Sequence, residues 1–345
     1  MAVTRQCMAG WVIGVYKQWF VPLLRLMKEQ LLKSKLVHCD ESRLLVLKEP
    51  DRSPSSQSQM WVFAAPKGDI PVCLFEYHPS RSKDIVLEFF KDWQGTIMSD
   101  GLGSYYNIEG ITNLSCLVHI RRKFIETVKD CAPENLAAIG SIANTAINMI
   151  NRMFATDSKF DDMSDEERKC ARDLELRPLL ETFESWLKDH VNETLEKDNL
   201  NNAMKNAIKF WPCVMHVLDD GAYPLDNNLA ERLIRPYTTG RKNWMFSDTP
   251  NGADASAGMY SIVATARGNG IVPRRYFEWL LTEMPNTDLS APGALESFLP
   301  WSPNIPEHLR AEYATPRIAP DDPIIKIDPN AFDDIDIEAL VNQKK

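Results

Sequence analysis

The chain has 345 residues, 44% hydrophobic and 25% charged, a composition that belongs to a folded globular protein and excludes a disordered one. Its formal net charge of −9 speaks mildly against a nucleic-acid partner, and no apolar run is long enough to span a bilayer. The seven cysteines (7, 39, 73, 116, 131, 170 and 213) form no C-x-x-C pair, which points to reduced thiols in a cytoplasm rather than a disulfide framework or structural zinc.

Residues 14–35 carry Leu and Met at three- and four-residue spacing, which predicts an amphipathic helical segment that Pro22 kinks or restarts. A strand follows from Leu36, with Asp40 near its middle. After the polar loop Asp51–Ser58, Gln59–Ala65 and Val72–Tyr77 read as two strands joined by a turn at Pro66–Asp69. Ser82 suits the N-cap of a helix that places Ile85, Phe89 and Trp93 on one face. Gly95–Met98 reads as a short buried strand with Asp100-Gly101 at its carboxyl end. Leu114–Val118 reads as another strand, and His119 opens a basic helix, IRRKFIETVKD. Three strands in a meander, a helix, a strand, a strand and a helix make a mixed α/β sheet.

From about Ala132 to Tyr223 the pattern is wholly helical, with the charged stretch DSKFDDMSDEERK between two amphipathic runs, and its polar faces read as solvated. The next stretch, DNNLAERLIRPYTTGRKNW (Asp226–Trp244), sets Glu231 in a short helical run closed by Pro236. Leu229, Leu233 and Ile234 recur there at helical spacing, and Glu231 and Arg235 share one side, as in a surface helix with an ion pair. Gly252–Gly268 is a helix with a small-residue face, stopped at Gly268-Asn269-Gly270, and Pro273 sits in the first turn of the next helix. Beyond Pro285 the chain is Pro-rich, and the final acidic stretch reads as a mobile tail.

Charge is unevenly spread. Glu231–Arg275 holds seven basic and three acidic residues, whereas Asp321–Lys345 holds seven acidic and three basic ones, so the total hides a basic segment. Three acids stand out: Asp40 on the first strand, Asp100 at the end of a later strand, and Glu231 on a helix. If the fold brings them together, they form a hard-oxygen set for two Mg²⁺ ions about 3.5–4 Å apart, the arrangement used for displacement at phosphorus. Taken singly, each also reads as an ordinary surface or capping residue.

The runs HCDES, YHPSRSKDIVLEFF, MSDGLGSY, CLVHIRRKF and DNNLAERLIRPYTTGRKNWMFSDTPNGADASAGMYSIVATARGNG occur in the order seen in insertion-sequence-66 family transposases. The resemblance covers the chain from about Arg5 to Trp301. It implies a DDE transposase of α/β fold, in which a ribonuclease-H-like mixed sheet is flanked by helices and an all-helical insertion lies between the second and third acids. The organisation that follows is an N-terminal helical segment (1–35), a first part of the catalytic core (36–131), the insertion (132–223), a second part of the core (224–285) and a Pro-rich, acidic tail (286–345).

Carried over residue by residue, Asp40 is the first acid, Asp100 the second, and Glu231, in N-x-A-E-R, the third. The resemblance implies that together they are the catalytic residues and the ligands of Mg²⁺, with Mn²⁺ as substitute. The implied reaction hydrolyses one strand at the element's end, and the freed 3′-hydroxyl attacks target DNA. The implied partners are element ends and target DNA, companion proteins of the same element and further copies of the chain on DNA; no membrane is implied, and the place of action is a bacterial cytoplasm. Arg232, Arg235, Arg241 and Lys242, with Arg122 and Arg81, are candidates for phosphate contacts, and Arg121 and Lys123 lie in the same basic run. Cys116 and His119 have C-x-x-H spacing and, with Asn227 and Asn228, are candidates for supporting the site; a packed Cys and a hydrogen-bonded His account equally for the pair. Trp244 and Phe246 are suited to stacking on an unpaired base, with core packing as the plainer role. The sequence departs from the family pattern at Cys39 and Ser42, where a small residue and Thr are commoner. The family's usual N-terminal helix-turn-helix and Cys/His zinc module is expected to be mostly missing, which leaves a silent DNA-binding remnant, or a nuclease without strand transfer, as competing readings.

Overall fold

The computed structural model describes residues 3–130, 136–193 and 198–311. It falls into two compact units. Unit 1 comprises residues 3–97, 103–111 and 228–311, and unit 2 comprises 98–102 with the described part of 112–227.

Unit 1 opens with helix α1 (Arg5–Val15), a π-helical turn at Tyr16–Phe20, and α2 (Val21–Leu31). Pro22 lies in the first turn of α2, where its missing N–H costs little, so the helix restarts there. The helical segment thus begins nine residues earlier than the Leu/Met spacing indicates, because α1 buries no side chain and carries no amphipathic stripe to detect. Strands β1 (Leu36–Val46), β2 (Gln57–Ala64) and β3 (Cys73–His78) form an antiparallel meander, with Asp40 opposite Val62 and Ser42 opposite Met60. After α3 (Lys83–Phe89), capped by Ser82 as expected, come β4 (Gly95–Ser99) and β5 (Ile111–Ser115). The strand order is β3-β2-β1-β4-β5, and β6 (Phe246–Ser247) pairs in parallel with Leu45 and Val46 at the end of β1, which makes the sheet mixed.

Alternation along the strands divides unit 1 into two layers. Leu44 and Val46 of β1, Met60 and Val62 of β2, and Cys73, Phe75 and Tyr77 of β3 share a core with Ala230, Ile234 and Tyr237 of α9 (Asn228–Trp244) and Ala253 and Ala257 of α10 (Pro250–Gly268). On the opposite face Trp61 and Phe63 stack with centroids 6.3 Å apart, Trp61 meets Tyr105 edge-on, and Phe63 lies against Phe89. The outer edge of the meander is closed by α10. Ser261 accepts a hydrogen bond from the Phe75 N–H at 2.7 Å, and Thr265 accepts one from the Cys73 N–H at 3.1 Å and donates to the Cys73 carbonyl at 3.0 Å. Hydroxyls four apart on a helix thereby satisfy alternate residues of an edge strand. Helix α11 (Pro273–Glu283) starts at Pro273 as predicted. The irregular stretch after it is packed: Phe298, Leu299, Ile305 and Leu309 are all buried.

Other boundaries differ from expectation as well, among them β5, which ends at Ser115 instead of Val118. Helix α9 runs through Pro236 instead of closing there, because the residue is exposed and the sheet-facing stripe on both sides of it holds the helix together. The basic helix α4 (Leu117–Asp130) starts two residues before His119, which therefore lies in its first turn.

Unit 2 is built on α4, α5 (Leu136–Asp157), α6 (Asp165–Ala171), α7 (Arg177–His190) and α8 (Asn199–Met215). Its core gathers Leu117, Phe124, Ile147, Ile150, Leu180, Phe183, Met204 and Trp211. One charged group among the described residues is wholly inside it. The Arg172 guanidinium, 0% exposed, donates to both oxygens of Asp157 at 2.7 and 3.1 Å and to the carbonyls of Val217, Asp220 and Gly221. The expectation that the charged faces here are solvated fails at this pair, since a planar fork meets a carboxylate on one side and three carbonyls on the other. The expected tail beyond residue 311 lies outside the described residues.

Candidate active site

In unit 1, Asp40 is the fifth residue of the eleven-residue strand β1 and is half-buried. Its Oδ1 accepts the Glu41 backbone N–H at 2.8 Å, which fixes the carboxylate against its own strand. Asp40, Ser42, Leu44 and Val46 point to one face by alternation, the face α9 covers. Ala230, Ile234, Tyr237 and Arg241 fall at spacings of four, three and four, so they form the stripe of α9 turned to that face. Glu231 stands beside this stripe in the first turn of α9 and is half-buried. The Arg241 guanidinium donates to Ser42 Oγ at 2.8 Å and to the Arg43 carbonyl, which binds the strand of one acid to the helix of another.

Glu41 points to the other face, its side chain 1% exposed. Arg81 Nη2 lies 2.9 Å from its Oε1, and the Tyr105 hydroxyl donates to Oε2 at 3.0 Å. Arg81, named from sequence as a phosphate contact, is thus engaged with a buried carboxylate. Arg235 and Lys242 are exposed and Arg232 is half-buried. Trp244 packs edge-on against Tyr237, the core role. Phe246 departs from that role at 44% exposed, beside Met245 at 65%, whose φ of +63° turns the chain out of α9 into β6.

In unit 2, Asp100 follows β4 and is half-buried. Its Oδ1 accepts the Leu102 N–H at 3.0 Å, and Gly101 between them has φ +98°, a conformation that favours glycine. Cys116 is buried: its N–H donates to the Ser99 carbonyl at 2.9 Å, and its Sγ accepts the Asn227 N–H at 3.2 Å. With the Leu117 N–H on the Leu225 carbonyl, this pins residues 225–227 to the start of α4, so Cys116 has a structural task and Asn227 is fully buried there. His119 is half-buried, and Asn228 opens α9 in unit 1. Arg121 is a core group: it donates to Asn151 Oδ1 at 2.6 Å and lies over the Phe154 ring, and burial pulls its pKa below the usual arginine value. Arg122 and Lys123 are exposed on the same helix.

Residues 1–255 match the Transposase IS66 family. The chain belongs to that family. Among curated proteins it is similar to Uncharacterized protein y4jD of Sinorhizobium fredii (strain NBRC 101917 / NGR234), 27% identical over 299 residues that make 82% of this chain and 57% of that protein. Uncharacterized protein y4hP of the same strain is 24% identical over 324 residues, 89% of this chain and 57% of that protein. The chain therefore spans little more than half the length of the curated relatives it matches. No solved structure matches it. The mixed sheet is consistent with the ribonuclease-H-like fold expected of such transposases. Among the described residues no helix is long and apolar enough to cross a membrane.

Sequence alone marks Ser42 as a departure from the family pattern and Arg241 as a candidate phosphate contact, without joining the two that bond each other here. The signal was a hydroxyl two residues from the first acid, on the same face of the strand.

Proposed function

We propose that this transposase-family chain carries the catalytic core of a DDE transposase, with Asp40, Asp100 and Glu231 as its acids and DNA as its substrate. The observation that supports this most is the placement of Asp40 on the face of β1 that α9 covers, with Glu231 in the first turn of α9. The donor set fits a hard divalent cation: all three acids offer carboxylate oxygens, each is half-buried, and such oxygens suit Mg²⁺ or Mn²⁺. When bound, the two ions would supply the charge that acidifies the attacking water or hydroxyl and steadies the leaving oxygen.

The chain's own groups do the positioning. The Asp40 carboxylate is oriented by the Glu41 N–H, and that of Asp100 by the Leu102 N–H, so neither rotates freely. Exposed Arg235 and Lys242, with Arg232, lie on the same helix as Glu231 and would hold phosphates without reading sequence. Arg122, exposed on α4, is a further candidate for a phosphate contact. In this reading the protein works in a bacterial cytoplasm, as an oligomer on DNA and with companion proteins of its element.

A strand-transfer assay with pre-cut element ends, a target plasmid and Mg²⁺ tests the reading. Joined product is expected, and Asp40→Asn, Asp100→Asn and Glu231→Gln should each remove it. Cutting without joining would make the chain a nuclease, and a folded chain that does neither would be a silent remnant.

A further inference from the structure

We propose that Arg241 and Ser42 form a brace that keeps Asp40 and Glu231 in register, and that Arg241 is a positioning residue rather than a DNA contact. The inference rests on the reading of Asp40 and Glu231 as acids of one site. Arg241 Nη1 donates to Ser42 Oγ at 2.8 Å and to the Arg43 carbonyl, so its charge is turned to β1. Ser42 lies two residues from Asp40 on the same face, about 6–7 Å along the strand. Arg241 lies ten residues after Glu231, on the stripe with Ala230, Ile234 and Tyr237 that packs α9 against the sheet.

Leu44 and Val46 meet α9 through their side chains, whereas at Ser42 the strand offers only a hydroxyl and the neighbouring carbonyl. A strand and a helix carrying ligands for one pair of cations must hold their spacing to a fraction of an ångström before the cations arrive. A guanidinium suits the task because its planar fork fixes direction as well as distance. The departure to Ser at position 42 fits the same account, since Thr would present an acceptor oxygen there too.

The test compares Ser42→Ala, Ser42→Thr, Arg241→Gln and Arg241→Lys with Asp40→Asn and Glu231→Gln in the full chain. Two readouts are Mn²⁺ affinity, from the electron paramagnetic resonance signal of free Mn²⁺, and the salt dependence of binding to a DNA duplex. Each variant is first shown to keep the parent's far-UV circular dichroism. The brace predicts that Ser42→Ala and Arg241→Gln weaken Mn²⁺ binding roughly tenfold, the scale on which groups supporting a metal site from outside its ligands act. Ser42→Thr should bind as the parent does, and the salt slope should stay unchanged throughout. The proposal is overturned if Ser42→Ala binds Mn²⁺ normally while Arg241→Gln and Arg241→Lys behave differently in DNA binding, the slope of the former falling by about one, because Arg241 then contacts a phosphate. It is overturned separately if both acid variants lose Mn²⁺ and all brace variants keep it. Should Asp40→Asn and Glu231→Gln themselves bind Mn²⁺ like the parent, the reading of the site fails, and the brace with it.

Discussion

At the scale of single residues, what decides the role of a charged group here is how much of its hydration the fold takes away. Asp254, in the first turns of α10, is half-buried, and desolvation raises its pKa above the usual aspartate value. Glu49 and Glu76 push in the same direction, and His78 and Lys17 oppose them. An acid whose pKa is raised by folding favours the native state when protonated and weakens it once both states are ionised, so its cost is present at neutral pH and absent in acid. Asp254→Asn should therefore raise the melting temperature at pH 7, and the gain should shrink as pH falls towards the ordinary aspartate range. A gain that is the same at both ends would assign the effect to packing. Arg172 is the opposite case, a buried charge held by a carboxylate and three carbonyls. Its sequence neighbourhood, a run of Asp, Glu, Arg and Lys, looks like a solvated surface, and only the fold singles out the one guanidinium turned inward.

At the scale of elements, periodicity made most of the sheet legible. The alternation in β1 and the aliphatic runs of β2, β3, β4 and β5 are strong because each strand has at least one buried face. What was not legible depends on partners far away in the chain. Pro236 reads as a helix end, yet α9 continues because tertiary packing outweighs one missing hydrogen bond. Strand β6 is two residues long and exists only because Leu45 and Val46 offer it an edge. In the sequence α10 is only a helix with a small-residue face, and its hydroxyls do something more specific: Ser261 and Thr265 replace the strand that β3 lacks. Substituting Ser261→Ala with Thr265→Val keeps the volumes and removes the acceptors for the Phe75 and Cys73 N–H groups. The pair should lower stability by about 1–3 kcal/mol, the cost of buried donors left unmet. Hydrogen exchange of those two amides should quicken more than that of β1 amides; equal protection across the meander would rule the edge role out.

At the scale of the whole molecule, the three acids were legible as positions, and their common purpose was not. Nothing in residues 40, 100 and 231 alone distinguishes a metal set from a turn, a strand edge and a surface helix; the family resemblance supplied the grouping, and residues 1–255 carry the match. Net charge is a poor guide to a nucleic-acid partner here, because an acidic C-terminal stretch offsets the basic segment that follows Glu231. If the grouping is right, metal and fold are thermodynamically linked: a cation bound only by the native arrangement of Asp40, Asp100 and Glu231 must stabilise that arrangement. At Mn²⁺ ten times above its dissociation constant the native state gains about 1.4 kcal/mol. For a chain of this size that corresponds to a rise of about 2 °C in Tm. Asp40→Asn, Asp100→Asn and Glu231→Gln should each abolish most of the rise while folding without metal, since each removes ligand charge and adds no bulk. A chelator should return the parent to its metal-free Tm and leave the three variants unmoved. If the parent gains nothing from Mn²⁺, or the variants gain as much as the parent, the carboxylates do not act together, and the basic helix around Glu231 would then be explained by DNA contact alone.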